Sequence, residues 1–332
     1  MTLGGGADAG LAAAMAEDDR VLTWGEDVRM IRRTLLVRFG PERVLDAPIS
    51  EAAFLHAGVG AAMAGLCPVV EIMLVDFLAV AWSGLLNVAS KIETFSGGRW
   101  QVPMVVRAAC GGGYGDGGQH EQVLWGAIAG IPDLKVVVPS TPADAAGLML
   151  TAVRDPTPVV FLEHKLLTAF WRDWLGGEGR PGVSFDVPEQ GAVGTVPDPV
   201  IPVPIGAAAL RREGTDVALV SLGVGVHRAL AASDQLAHAG IEAAVLDLRS
   251  AAPLDTDQII AVAQRANRIV VVDEDYRRGG LSGEIAALLA EAGSRARYAR
   301  VTVETTIPFA PALEAQALPS VERIVQAVKN LE

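Results

Sequence analysis

The chain has 332 residues, 51% hydrophobic and 20% charged, with 27 basic against 39 acidic side chains for a formal charge of −12. That length predicts two globular α/β-sized domains; the acidic balance argues against a nucleic-acid surface, and no run of about 18 apolar residues is present to span a membrane. Met1–Asp8 lacks the basic flank and apolar centre of a secretory signal, and Cys67 and Cys110 show no CxxC spacing, so both read as free thiols of a cytoplasmic protein.

In chain order, Val21–Trp24 reads as a first strand ending in Gly25-Glu26-Asp27, and the periodicity of Met30–Phe39 predicts a helix. Val44-Leu-Asp46 is a short buried strand, Pro48 a turn and Ser50 a helix N-cap, after which Glu51 opens a helix of small and apolar residues. A strand over Pro68–Met73, a long helix from Leu78 to Phe95, and a strand over Met104–Ala109 running into Gly111–Gly118 come next. A helix from His120 to Ala129, a strand Lys135–Val138, a helix Pro142–Arg154 and a strand Val159–Glu163 complete this half. Strands separated by helices of this length predict an open parallel sheet covered on both faces.

From Leu166 to Pro204, Gly, Pro, Trp171, Trp174 and scattered charges replace the periodicity, as in a surface linker. A second α/β series follows, with strands at 216–222, 243–248, 269–273 and 300–303 and helices near 226–239, 255–266, 282–292 and 319–331. The predicted fold class is therefore α/β with two open parallel-sheet domains, 1–165 and 205–332, joined by 166–204.

Glu51 has two readings. A first-turn acid commonly compensates the helix dipole; a half-buried one in apolar surroundings serves proton chemistry, with desolvation raising its pKa. Gly113-x-Gly115-x-x-Gly118 imitates a dinucleotide loop, but the next strand ends in Pro139-Ser140 where a ribose-binding acid belongs, and no Gly-Lys-Ser/Thr follows. The loop is either a mobile surface turn or a backbone that a ligand approaches closely. His120, just beyond it at the carboxyl end of a strand, lies where open α/β sheets bind ligands. Gly115-Asp116-Gly117 also imitates the start of a thiamine-diphosphate motif, yet no Asn-Asn follows anywhere, so no Mg²⁺-diphosphate cradle is evident.

With these features the sequence resembles the beta subunits of the thiamine-diphosphate-dependent decarboxylating component of 2-oxo acid dehydrogenases, relatives of transketolase. The resemblance spans nearly the whole chain and rests on Arg43–Glu51, Val70–Phe77, Leu134–Pro142, Val271–Tyr276 and Thr306–Leu313. It implies a transketolase-like pyrimidine-binding domain followed by a transketolase C-terminal-like domain.

By that resemblance, Glu51 bonds the N1′ nitrogen of the cofactor's aminopyrimidine, Phe77 stacks on its ring, and Ile49 and Met73 stand beside it. His120 faces the substrate, and His56 reads as a helix-surface residue. The resemblance also implies an alpha subunit holding the diphosphate and Mg²⁺ in an α₂β₂ assembly, beta–beta contacts through the second domain and docking on a lipoyl acyltransferase core. Some members bind a structural K⁺. Where relatives carry His-Ser-Gln, this chain has His120-Glu121-Gln122, which places a charge at the expected pocket mouth. The chain also lacks a Gly-rich stretch after Asp27, and its Leu166–Pro204 connector is longer than in relatives. These departures keep open a two-chain transketolase-like enzyme that transfers a ketol or acyl unit to a small acceptor without a lipoyl partner. A non-catalytic scaffold or nucleotide-binding module is the third reading.

Overall fold

The computed structural model describes residues 1–171 and 193–331. Twelve strands occur among them: β1 Val21–Gly25, β2 Val44–Asp46, β3 Cys67–Leu74, β4 Val105–Cys110, β5 Lys135–Val137, β6 Val159–His164, β7 Ala209–Arg212, β8 Val217–Ser221, β9 Ala243–Asp247, β10 Ser250–Ala252, β11 Arg268–Tyr276 and β12 Arg297–Val303. They form a seven-stranded sheet in the order β10-β5-β6-β4-β3-β1-β2 and a five-stranded sheet in the order β12-β11-β8-β9-β7. Every residue of β4 and β6 is buried, as expected of parallel strands with helices on both faces.

Each sheet has one antiparallel edge that the sequence does not announce. β7 runs against β9, and β10, from the second half of the chain, runs against β5 of the first sheet. The sheets are thus mixed rather than purely parallel. Among the described residues no helix is long and apolar enough to cross a membrane.

Several helices depart from the predicted pattern for identifiable reasons. No helix is predicted before β1, yet Leu3–Glu17 forms one despite three consecutive glycines. A Cβ on Gly6 would stand 2.2 Å from the Pro142 carbonyl oxygen, and one on Gly10 would stand 2.2 Å from that of Ala146. Glycine is what lets this helix seat on Pro142–Arg154, so packing outweighs propensity. The predicted helix over Met30–Phe39 is broken into Val28–Ile31 and Arg33–Phe39. Arg32 at the break turns inward to buried carboxylates.

Leu78–Phe95 is not one helix but a 3₁₀ turn (Val75–Ala79), π-type turns (Gly84–Ala89) and a short helix, Ile92–Phe95. The helix expected from His120 begins only at Trp125, because residues 118–124 form a bonded loop. Lys165–Leu167 is a 3₁₀ turn, and Trp174, with the middle of the predicted linker, lies outside the described residues.

Candidate active site

The carboxyl ends of β1 and β2 place Glu26 and Glu51 at one rim. The Ala47 amide donates to the Gly25 carbonyl oxygen, tying the β2 turn to the end of β1. Ser50 occupies the N-cap position of helix Glu51–Met63, but its hydroxyl donates to the Pro48 carbonyl oxygen at 3.0 Å instead of capping. Glu51 is half-buried and, among the described residues, makes no hydrogen bond or ion pair. Burial, then Asp27 and Glu51, pushes the Glu26 carboxyl above its ordinary range. An unpaired acid held beside a second acid is electrostatically unfavourable, which dipole compensation alone does not require. Ile49, 74% exposed, projects from the turn before it. His56 is exposed, with Nδ1 2.6 Å from the Ala52 carbonyl oxygen.

Phe77 and His120, predicted from separate segments, meet: their ring centroids lie 5.5 Å apart at an interplanar angle of 82°. Both are half-buried, and His120 Nδ1 is buried with no partner among the described residues. The His120 loop is anchored through its backbone. Its amide donates to the Gly117 carbonyl oxygen at 3.0 Å, and its own carbonyl accepts from Lys165 Nζ at 2.5 Å. That ammonium is buried and lies 4.9 Å from the Tyr114 ring centroid. Burial lowers the Lys165 pKa while Glu121, Asp76 and Asp116 oppose the shift. Beside His120, the Gln122 side-chain amide donates to Asp76 Oδ1 at 2.7 Å.

The glycine loop is neither a free surface turn nor an open phosphate cradle. The Gly112 amide donates to Glu274 Oε1 at 2.8 Å, Gly113 to Glu314 Oε1 at 2.7 Å and Gly115 to Glu314 Oε2 at 2.9 Å. Tyr114 donates to Glu121 Oε1 at 2.7 Å, and Gly117 to Glu121 Oε2 at 2.9 Å. Carboxylates of this chain therefore occupy the donors that a nucleotide phosphate would need, which removes the nucleotide-binding reading. Glu121, expected as a charge at the pocket mouth, is instead fully buried under the loop. Burial and a hydrogen bond with Glu314 push its carboxyl up to about 8.

Three consecutive acids at the end of β11 complete the domain junction. Asp273 accepts from Trp125 Nε1 at 2.8 Å, and Asp275 from the Gly126 amide at 2.8 Å. Glu274 accepts from Arg228 Nη1 at 2.6 Å and lies 2.9 Å from His164 Nε2. These three acids therefore form an internal clasp between the domains.

Sequence reasoning missed a buried ionic network beneath the rim. Arg107, 1% exposed, bonds Glu163 at 2.7 Å and Asp8 at 2.7 Å, while Arg32 bonds Glu71 at 2.8 Å. Burial opposes the charge on Glu71, but Arg32 and Arg107 hold its pKa below the ordinary range. The network borders a cavity of about 240 Å³ also lined by Glu26, Met73 and Trp171. The available signal was a charge inside each apolar run: Glu71 in β3, Arg107 in β4 and Glu163 in β6.

Two α/β domains meeting at the carboxyl ends of the first sheet define the transketolase class. The family model "Transketolase, pyrimidine binding domain" matches residues 2–169, and "Transketolase, C-terminal domain" matches residues 206–324. The subunit beta of acetoin:2,6-dichlorophenolindophenol oxidoreductase from Bacillus subtilis is 38% identical, covering 96% of this chain and 93% of the relative. The pyruvate dehydrogenase E1 component subunit beta of Rickettsia felis is 37% identical (96% and 94%), and the 2-oxoisovalerate dehydrogenase subunit beta of Bacillus subtilis 35% (96% and 94%). A solved split-gene transketolase, described as an inactive beta4 tetramer, superposes with a TM-score of 0.78 at 21% identity over 100% of this chain and 98% of its own, a likeness of fold. The chain belongs to the family of beta subunits of the first component of 2-oxo acid dehydrogenases and acetoin oxidoreductases.

Proposed function

We propose that this chain is the beta half of a thiamine-diphosphate-dependent enzyme that oxidatively decarboxylates a 2-oxo acid and passes the acyl unit to a lipoyl group. The observation that carries this reading is Glu51, an acid in the first turn of its helix with no partner among the described residues, within a chain whose relatives are beta subunits over nearly their full length. Those relatives favour it over transfer to a small acceptor. When bound, the cofactor supplies a nucleophilic carbon and an electron sink for the loss of carbon dioxide.

Glu51 would hold the proton at the ring nitrogen N1′ of the aminopyrimidine, a role suited to an acid with no hydrogen-bond partner among the described residues. Phe77 would stack on that ring, with its edge already fixed by His120, while Met73 and Ile49 flank it. His120, held against the Phe77 ring, would face the substrate side.

The diphosphate and Mg²⁺ fall to an alpha subunit. Gly115-Asp116-Gly117 has no following Asn-Asn, and the loop amides already bond Glu121 and Glu314. Ile49, Val80, Phe95 and Trp100, each more than half exposed on the first domain, supply apolar surface for such a partner. Co-expression with a cognate alpha chain, thiamine diphosphate and Mg²⁺, followed by a 2-oxo acid screen with an artificial electron acceptor, tests the assignment. The assembled pair should turn over a 2-oxo acid, and the beta chain alone should not; turnover by the beta chain alone would overturn it.

A further inference from the structure

Two carboxyl groups from opposite domains converge on one amide. The Tyr114 N–H faces Glu121 Oε1 at 2.7 Å and Glu314 Oε1 at 3.1 Å, so the two carboxyl groups meet at one donor. Both side chains are almost wholly buried, Glu121 at 0% and Glu314 at 3% exposure. Two carboxylates cannot share so small a dry space fully ionised, so the pair retains a proton. Glu121 immediately follows His120, and its other oxygen holds the Gly117 amide, whose residue in turn accepts the His120 N–H. Glu314 anchors the same loop at Gly113 and Gly115.

We propose that Glu121 and Glu314 share one proton across the domain boundary, and that this shared proton makes Glu121 the positioning residue for His120. The role of His120 itself rests on the function proposed above. Among the described residues, charged groups approach the pair from several elements. Lys165 approaches from the turn after β6, Asp116 and His120 from the loop itself, and Asp76 from the turn after β3. Glu274 bonds the adjacent Gly112 amide but is matched by His164 and Arg228. Lys165 faces Glu121 and Asp76 together, so its single positive charge is divided between them. Opening the loop releases Glu121 to water, where it ionises at its ordinary pKa; opening therefore sheds a proton and grows easier with rising pH, up to the pKa of the closed state.

Amide hydrogen exchange on the full chain, followed at Gly113, Tyr114, Gly115 and Gly117 and corrected for chemical exchange, measures this directly. One proton released on opening predicts roughly a fiftyfold loss of protection between pH 6 and pH 8, with a plateau above about pH 9. Glu121→Gln should remove the pH dependence, and Glu314→Gln should reduce it without abolishing it, because burial still disfavours the Glu121 charge. Wild-type protection that does not change across this range, or a Glu121→Gln profile that follows the wild type, would overturn the shared proton. In the enzyme assembled with its alpha chain, Glu121→Gln should extend the alkaline limb of kcat/KM; an unshifted limb would overturn the positioning of His120. An assembly without activity would defeat the functional reading while leaving the exchange result to stand.

Discussion

Glu274 of the second domain reaches His164 of the first at 2.9 Å, and with the same oxygen accepts the Gly112 amide that begins the glycine loop. Burial opposes this carboxylate's charge, yet His164, Arg228 and the Gly112 amide hold its pKa at about 2, against an ordinary 4.5. A carboxyl with a depressed folded pKa stabilises the native state above its unfolded value and loses that contribution as pH falls toward the folded one. Glu274→Gln should therefore cost about 3 kcal/mol in urea unfolding at pH 7, and the gap from wild type should close between pH 4.5 and pH 2.

Asp275, one residue on, behaves in the opposite sense. Burial and the neighbouring Asp273 push its carboxyl up to about 7. A raised folded pKa means its contribution is intact below the ordinary carboxylate range and is lost as pH rises through about 7. Asp275→Asn keeps an acceptor for the Gly126 amide without the charge. Thermal melts should show a gain of about 2 °C or more at pH 8 and a smaller one at pH 5.

Glu51→Gln separates catalysis from stability. Because Glu51 has no partner among the described residues and sits beside Glu26, the substitution should change unfolding free energy by less than about 0.5 kcal/mol. The same variant, assembled with its alpha chain, should lose at least about a hundredfold in turnover. Near-normal turnover would remove Glu51 from the proton chemistry.

Two glycine substitutions test the packing account of the first helix. A Cβ at Gly10 would meet the Ala146 carbonyl oxygen at 2.2 Å, so Gly10→Val should destabilise by about 2 kcal/mol or more. Gly60, in the helix that begins at Glu51, has nothing within 4 Å of its would-be Cβ, and Gly60→Ala should stabilise by about 0.5–1 kcal/mol. Equal effects at the two positions, read by denaturant midpoints, would contradict the close helix contact.

What the sequence made legible was whatever is decided locally. The Pro142–Arg154 helix forms where its signals lie, with Thr141 accepting the Asp144 amide and Pro142 in the first turn. The apolar runs of β3, β4 and β6 announce themselves, and the family resemblance follows from contiguous segments. Features decided by distant residues were hidden. Helix Leu3–Glu17 depends on carbonyls of a helix far along the chain, and Ser250-Ala-Ala252 has no strand pattern of its own. Glu121 looked like a surface charge because its partner Glu314 lies near the other terminus. Phe77 and His120 were singled out separately, but only the fold brings their rings into contact.

Strand β10 carries a consequence for any attempt to divide the molecule. The first sheet obtains its final edge from Ser250–Ala252, which pairs with β5 through Ser250 and Ala252. A fragment ending at the linker would present Lys135–Val137 as a bare edge, open to pairing with whatever extended peptide drifts past. The two halves, although each matches a family model of its own, should therefore be made and purified as one continuous polypeptide.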